Sequence, residues 1–200
     1  MKLSRQDLAT LADVAIDGAV AAGELISAYR NTQLDIINKK HSGSCRHHQI
    51  GDTLASQVVT EVDFKSQEVI LEYLHPTLQY YDLGLLSEER DDDHSRFQKD
   101  YFWSIDPLDG TLRFTEGKGG YSVAIALLDR KGDPHLGVVF DPVENTVYHA
   151  IKGGGAFRNH QPFNLPPLTA DAPLSLVHDR SFGKQKNYND IVIALEDIAE

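Results

Sequence analysis

Trp103-Ser104-Ile105-Asp106-Pro107-Leu108-Asp109-Gly110-Thr111 sets two carboxylates, a backbone carbonyl and a hydroxyl around one tight turn. Tyr101 to Ile105 is an apolar run of strand character, and Pro107 and Gly110 are turn residues expected to stop it. The carboxylates are therefore expected at a strand end. Pro107 bends the chain, which lets Asp106, the Leu108 carbonyl and Asp109 converge on one point instead of alternating across a sheet. Oxygen donors of this kind select Mg²⁺, Mn²⁺ or Ca²⁺. Gly110 permits close approach of the backbone, and Thr111 reads as the first residue of a short helix whose unpaired N–H groups face an anion. The pentapeptide Asp-Pro-Leu-Asp-Gly reads equally well as an ordinary Asx-type surface turn.

The elements that must position this turn can be read on both sides of it. Ser4 followed by Asp7 makes a capping-box start, and Leu8, Leu11, Ala15, Ala22, Ile26 and Tyr29 recur near helical spacing, so one long N-terminal helix is expected. Lys39 to Ser56 is polar and rich in Gly, Ser and His, and reads as a loop. His41, His47 and His48 beside Cys45 have poor spacing for a structural zinc site. Phe64 to Leu74 reads as a second helix ended near Pro76, with Asp63 available as its N-cap. Leu78 to Leu86 reads as a strand that delivers Glu88.

Downstream, Tyr121 to Leu128 and His135 to Phe140 are β-rich runs joined by the Asp129 to Asp133 turn, and Thr146 to Ile151 adds another strand. Gly153-Gly154-Gly155 lacks a following Gly-Lys-Ser/Thr and is expected to turn a hairpin, not to cradle a phosphate. A mixed sheet flanked by helices is the natural packing. Leu165-Pro166-Pro167 reads as a linker, Leu174 to His178 as a short strand and Ile191 to Ile198 as the beginning of a helix. Residues 1–163 are expected to form a metal-binding catalytic α/β domain, and 164–200 the start of a second, incomplete lobe.

Two upstream segments, Thr60-Glu61-Val62-Asp63-Phe64-Lys65-Ser66 and Leu86-Ser87-Glu88-Glu89, stand in order before the Asp106 turn. Gly137-Val138-Val139-Phe140-Asp141-Pro142 and Lys152-Gly153-Gly154-Gly155-Ala156-Phe157 follow it. From about Ser56 to Asn159 the chain resembles the inositol monophosphatase superfamily of Mg²⁺-dependent phosphomonoesterases. The resemblance implies an α/β (α+β) protein with the layered α-β-α-β sugar-phosphatase-type fold, and a homodimer. It implies that Glu88, Asp106 and the Leu108 carbonyl hold one metal and that Asp106 and Asp109 contribute to a second, with two or three Mg²⁺ ions in all and Mn²⁺ as a substitute. Asp63 and Thr111 match the pair that positions and deprotonates the attacking water. The backbone at Gly110 and Thr111 would hold phosphate oxygens, and Glu89 would support the ligands from behind.

Phosphate-ester hydrolysis needs in-line attack on a group whose own charge repels a nucleophile, and metal ions neutralise that charge, lower the pKa of a bound water and stabilise the leaving alkoxide. Clustered carboxylates repel one another, so a cation relieves them. Taken singly, Asp63 also reads as a helix cap, and Glu88-Glu89 as a solvated cluster running into Arg90-Asp91-Asp92-Asp93.

The family's downstream Trp-Asp motif, which carries a further metal ligand, is absent. The one tryptophan is Trp103, and Asp171, Asp179, Asp190 and Asp197 stand in no matching context. A truncated C-terminal lobe is therefore expected, and a catalytically inactive metal-binding fragment or pseudoenzyme acting through association is the competing reading. Leu112-Arg113-Phe114 matches neither the inositol-phosphatase wording nor the Lys-x-Phe of bisphosphate nucleotidases. Ser122 to Leu127 with Gly137-Val138-Val139 looks more like the CysQ-type nucleotidase branch. The expected substrate is a 3′(2′),5′-bisphosphate nucleotide, with inositol monophosphate beside it. Arg113 either contacts a second phosphate or is a solvated helix residue.

Composition narrows the setting. Nineteen basic against 30 acidic residues give a formal charge of −11, which disfavours nucleic acid and anionic lipid as partners and leaves a small phosphorylated metabolite, captured locally. One cysteine, Cys45, makes no internal disulfide, and no stretch reaches the ~18 apolar residues of a membrane span, so a cytoplasmic enzyme is expected.

Overall fold

The computed structural model describes residues 2–30, 36–38, 58–165 and 182–199. The expected Lys39 to Ser56 loop with its His41, Cys45, His47 and His48, and the expected Leu174 to His178 strand, lie outside the described residues. The chain divides into two compact units, Met1–Asn164 and Leu165–Glu200.

In the first unit, helix α1 (Arg5–Tyr29) opens on the Ser4–Asp7 capping box: Ser4 N–H donates to Asp7 Oδ2 at 2.8 Å and Asp7 N–H donates to Ser4 Oγ at 3.1 Å. Its buried stripe includes Leu8, Leu11, Ala15, Ala19, Ala22, Gly23 and Ile26. The small residues let the helix axis approach the sheet closely. A Cβ on Gly23 would fall 2.2 Å from Phe140 Cε1.

Strands β1 (Ile36–Asn38) and β2 (Val58–Thr60) pair antiparallel, and β2 leads directly into helix α2 (Glu61–Tyr80). The helix starts three residues before the expected Phe64 because Thr60, not Asp63, is the N-cap. It also runs through Pro76. Proline removes one backbone donor, but burial of Leu74 and Thr77 holds the following turn in place. Thr77 Oγ1 donates to Leu74 O at 2.6 Å and accepts Trp103 Nε1 at 2.9 Å. The expected strand from Leu78 consequently shrinks to β3 (Gly84–Ser87), after a turn in which Asp82 takes φ +51°.

Seven strands form one sheet in the order β3-β4-β5-β6-β7-β8-β9. They are β3, β4 (Tyr101–Asp109), β5 (Ser122–Asp129), β6 (Pro134–Asp141), β7 (Thr146–Ile151), β8 (Gly155–Arg158) and β9 (Gln161–Pro162). Only β3 and β4 run parallel; every other neighbouring pair is antiparallel. Gly153-Gly154-Gly155 lies at the β7–β8 hairpin, as its composition suggested. Register aligns Trp103, Leu127 and Leu136 in one transverse row and Ile105, Ile125 and Val138 in the next. These residues are buried beneath α1 and α2 and form the core with Leu11, Ile26, Ile70 and Leu74. The mixed α+β sheet flanked by helices is the architecture expected from the sequence.

The second unit contains a 3₁₀ turn at Phe182–Lys184 and helix α4 (Tyr188–Ala199), with Phe182 and Tyr188 rings edge to face at 5.6 Å. Among the described residues no helix is long and apolar enough to cross a membrane.

Candidate active site

The site is assembled where β3, β4, α2 and the short helix α3 (Thr111–Thr115) meet. Pro107 does not end β4. The strand continues to Asp109 through an irregularity in which Asp106 pairs with Ala124 and the next pair is Asp109 with Ser122. The bulge accommodates a residue that has no N–H for the ladder and re-aims the carboxylates beside it. The Pro107 carbonyl accepts Ser66 Oγ from α2 at 2.8 Å, and Asp106 Oδ1 accepts Leu108 N–H at 3.2 Å.

Glu88 reaches the same place from the neighbouring strand. Its N–H donates to Ile105 O at 3.1 Å, which extends the parallel pairing one residue past β3. The preceding Ser87 donates its hydroxyl to Gln67 Oε1 of α2. Burial, and then the carboxylates of Glu88 and Asp109, push the Asp106 carboxyl up to about 8. Glu88 and Asp109 are themselves exposed and Glu89 is half-buried.

Asp63 is buried, 1% exposed. Its two oxygens have separate tasks. Oδ2 accepts Thr60 N–H at 2.8 Å and Thr60 Oγ1 at 2.6 Å, the N3 side of a capping box, while Oδ1 accepts Thr111 Oγ1 at 3.0 Å. Helix capping and contact with Thr111 are thus both present in one carboxylate. Burial raises the Asp63 pKa, against the opposing pull of the Thr60 and Thr111 donors. The Thr111 hydroxyl lies 3.0 Å from the Leu108 carbonyl as well, and its single proton serves one acceptor at a time.

Gly110 precedes α3 with φ +84°, and a Cβ there would fall 2.8 Å from Gly120 O. Both facts require glycine. Arg113 is neither freely solvated nor idle: its Nε donates to Gly119 O at 2.9 Å. Thr60, Ser66 and Gln67 make supporting hydrogen bonds that the sequence reading did not assign to them. Only Thr60 had a visible signal, its three-residue spacing to Asp63.

The structure therefore brings Asp106 together with Glu88 and Asp109, and Asp63 together with Thr111 and the Leu108 carbonyl. Among the described residues, no three His, Cys, Asp or Glu side chains converge tightly enough to hold a metal by themselves. The donor set nevertheless fits a hard divalent ion: a half-buried Asp106 whose ionisation is opposed first by burial and then by the Glu88 and Asp109 carboxylates, beside a carbonyl with a second lone pair.

Comparison with known proteins bears on the family and the fold. The sequence model of the inositol monophosphatase family matches residues 7–191. The Nus factor SuhB of Pasteurella multocida is 37% identical over 113 residues, 56% of this chain and 41% of that protein. An inositol-1-monophosphatase of Mesorhizobium japonicum is 30% identical over 149 residues, 74% of this chain and 50% of that protein. A histidinol-phosphatase of Chlorobaculum parvum is 34% identical over 119 residues, 60% of this chain and 44% of that protein. The chain thus spans half or less of the length of these relatives. Among solved structures, the IMPase of Thermotoga maritima superposes with a TM-score of 0.63 at 27% identity, over 78% of this chain and 54% of that one.

Proposed function

The chain belongs to the inositol monophosphatase family, and from that premise we propose that it carries the metal-dependent site of a phosphoric monoester hydrolase acting on a small phosphorylated metabolite. The observation that carries the reading is the 3.0 Å hydrogen bond from Thr111 Oγ1 to Asp63 Oδ1, one turn of chain from the crowded Asp106.

Glu88, Asp106, Asp109 and the Leu108 carbonyl would hold Mg²⁺, or Mn²⁺ in its place, with Glu89 behind them. A divalent ion held there would supply charge neutralisation at the phosphoryl oxygens and a lowered pKa for a water, from which hydroxide can form. Thr111, while donating to Asp63 Oδ1, keeps its oxygen lone pairs as acceptors, with which it would take a hydrogen bond from a water and aim it. Burial raises the affinity of the Asp63 carboxyl for a proton, and Oδ1, 3.0 Å from Thr111 Oγ1, is the oxygen placed to receive one from the water through the Thr111 hydroxyl. The backbone at Gly110 and Thr111 would receive phosphate oxygens.

For the substrate, a monoester with one phosphate, such as an inositol monophosphate, is the reading taken ahead of a bisphosphate nucleotide; the Arg113 Nε bond to Gly119 O uses one of five guanidinium donors and decides neither. The inositol-1-monophosphatase among its relatives supports the same choice.

Phosphate release from inositol 1-phosphate and from 3′-phosphoadenosine 5′-phosphate, with Mg²⁺ and with chelator, tests the proposal. Mg²⁺-dependent turnover is expected, faster on the monophosphate. Asp63→Asn should lower it by about 10²–10⁴ with the fold intact. A folded protein that binds Mg²⁺ without turnover would support the competing reading of a metal-binding protein that acts by association.

A further inference from the structure

The catalytic turn does not hold its shape alone. Gly110 lies against the backbone of a second segment, Glu116 to Tyr121: a Cβ on Gly110 would meet Gly120 O at 2.8 Å, Tyr121 Cα at 3.1 Å and Tyr121 Cβ at 3.3 Å. The segment contains three glycines, of which Gly117 and Gly120 take φ +69° and +90°. It has little side-chain mass with which to fix its own path. Two kinds of contact fix it instead. Phe114 and Tyr121, both buried, stack edge to face at 5.2 Å, and Arg113 grips the middle.

The Arg113 grip is double. Its carbonyl accepts Lys118 N–H at 2.9 Å, and its Nε donates to Gly119 O at 2.9 Å. Arg113 N–H also donates to Gly110 O at 2.8 Å, so one residue ties the catalytic turn to the segment that abuts it. Chain continuity joins Gly110 to Thr111, whose hydroxyl must stay within 3.0 Å of Asp63 Oδ1.

We propose that Arg113 is a positioning residue: by clamping the Gly119 carbonyl it presses the Gly120–Tyr121 backbone onto Gly110 and so holds Thr111 in register with Asp63. This rests on the reading of Thr111 as the residue that aims the water, but the clamp itself can be measured without turnover. The side chain touches no reacting atom. Its loss should lower kcat, since misaligned reactants cost rate more than binding.

The test is Arg113→Met, which keeps the apolar stem and removes the donor, beside Lys118→Ala, whose ammonium pairs only with Glu116 in the described contacts. Amide hydrogen exchange over residues 110–121 is followed in the metal-free protein, with kcat and KM for phosphate release determined in Mg²⁺. Arg113→Met is expected to speed exchange at Phe114, Gly117 and Lys118, whose N–H groups donate to Gly110 O at 3.2 Å, Phe114 O at 2.9 Å and Arg113 O at 2.9 Å, by about tenfold, the worth of one hydrogen bond to a charged donor. It should lower kcat by a similar factor with KM within about twofold, while Lys118→Ala changes neither. Partial recovery of protection in Arg113→Lys, which restores a donor of poorer geometry, is expected as well. Unchanged exchange at Phe114, Gly117 and Lys118 in Arg113→Met overturns the proposal. Faster exchange in a protein whose native form has no turnover leaves the clamp standing and removes the phosphatase reading instead.

Discussion

At the scale of single residues, Asp106 has the least comfortable position in the first unit. Burial and two carboxylate neighbours raise its pKa to about 8, far above the ordinary aspartate value near ~3.9. A proton is bound more tightly by the folded than by the unfolded chain across that interval. The contribution of Asp106 to the stability of the metal-free protein is therefore complete below about pH 4 and is lost as pH rises through about 8. Asp106→Asn removes the ionisation. In chelator, its melting temperature should match that of the native chain near pH 4 and exceed it near pH 9 by a few degrees, since about 1 kcal/mol moves a domain of this size by roughly 2–4 °C. Thermal scans across that range check the sign, and a native chain that gains stability toward pH 9 would contradict it. Mg²⁺ should reverse the order by stabilising the native chain alone.

At the scale of elements, the start of α2 couples folding to chemistry. Thr60 caps the helix through its hydroxyl, which accepts Val62 N–H at 3.1 Å, and the same hydroxyl donates to Asp63 Oδ2. Thr60→Ala should cost about 0.5–2 kcal/mol by denaturant titration. It should also lower kcat, because Asp63 loses one of the donors that orient it. Thr60→Ser restores both the hydroxyl and, in large part, the rate. A loss of stability without change in kcat would separate the cap from the site. The β4 bulge makes the complementary contribution: α2 reaches across to it through Ser66 and the Pro107 carbonyl, so helix and strand end are joined at the point where the carboxylates gather.

At the scale of the molecule, a formal charge of −11 surrounds a site that must admit an anion. Self-repulsion of that size destabilises a compact chain and is screened by salt. In chelator at pH 7, raising NaCl from about 10 mM to about 300 mM, where the Debye length falls from ~30 Å to well below 10 Å, should raise the melting temperature. A flat or falling dependence would show that local pairs such as Arg96–Asp92 outweigh the global field. On the proposed reading, substrate capture would come from local charge at a bound cation and from backbone donors, because a net charge of −11 opposes the approach of an anion.

Legibility differed between these scales for physical reasons. The sequence by itself determined the N-terminal helix and its Ser4–Asp7 cap, the β5–β6 hairpin at Asp129 to Asp133 and strand β7, because period and turn chemistry are local. It also carried the ordered carboxylates that pointed to the family. Tertiary structure decided the rest. Pro76 stayed inside α2 because Trp103 and buried Leu74 hold the turn after it, and Pro107 stayed inside β4 because a bulge absorbs its missing donor. Asp63 was read as helix cap or catalytic partner, and its two oxygens serve both. Arg113 was read as phosphate contact or solvated side chain, and it is bound to Gly119. Two of those contacts join groups far apart in the chain, 26 positions for Trp103 with Thr77 and 48 for Thr111 with Asp63, while Arg113 and Gly119 are only six apart and meet through a turn whose path the left-handed Gly117 helps to set.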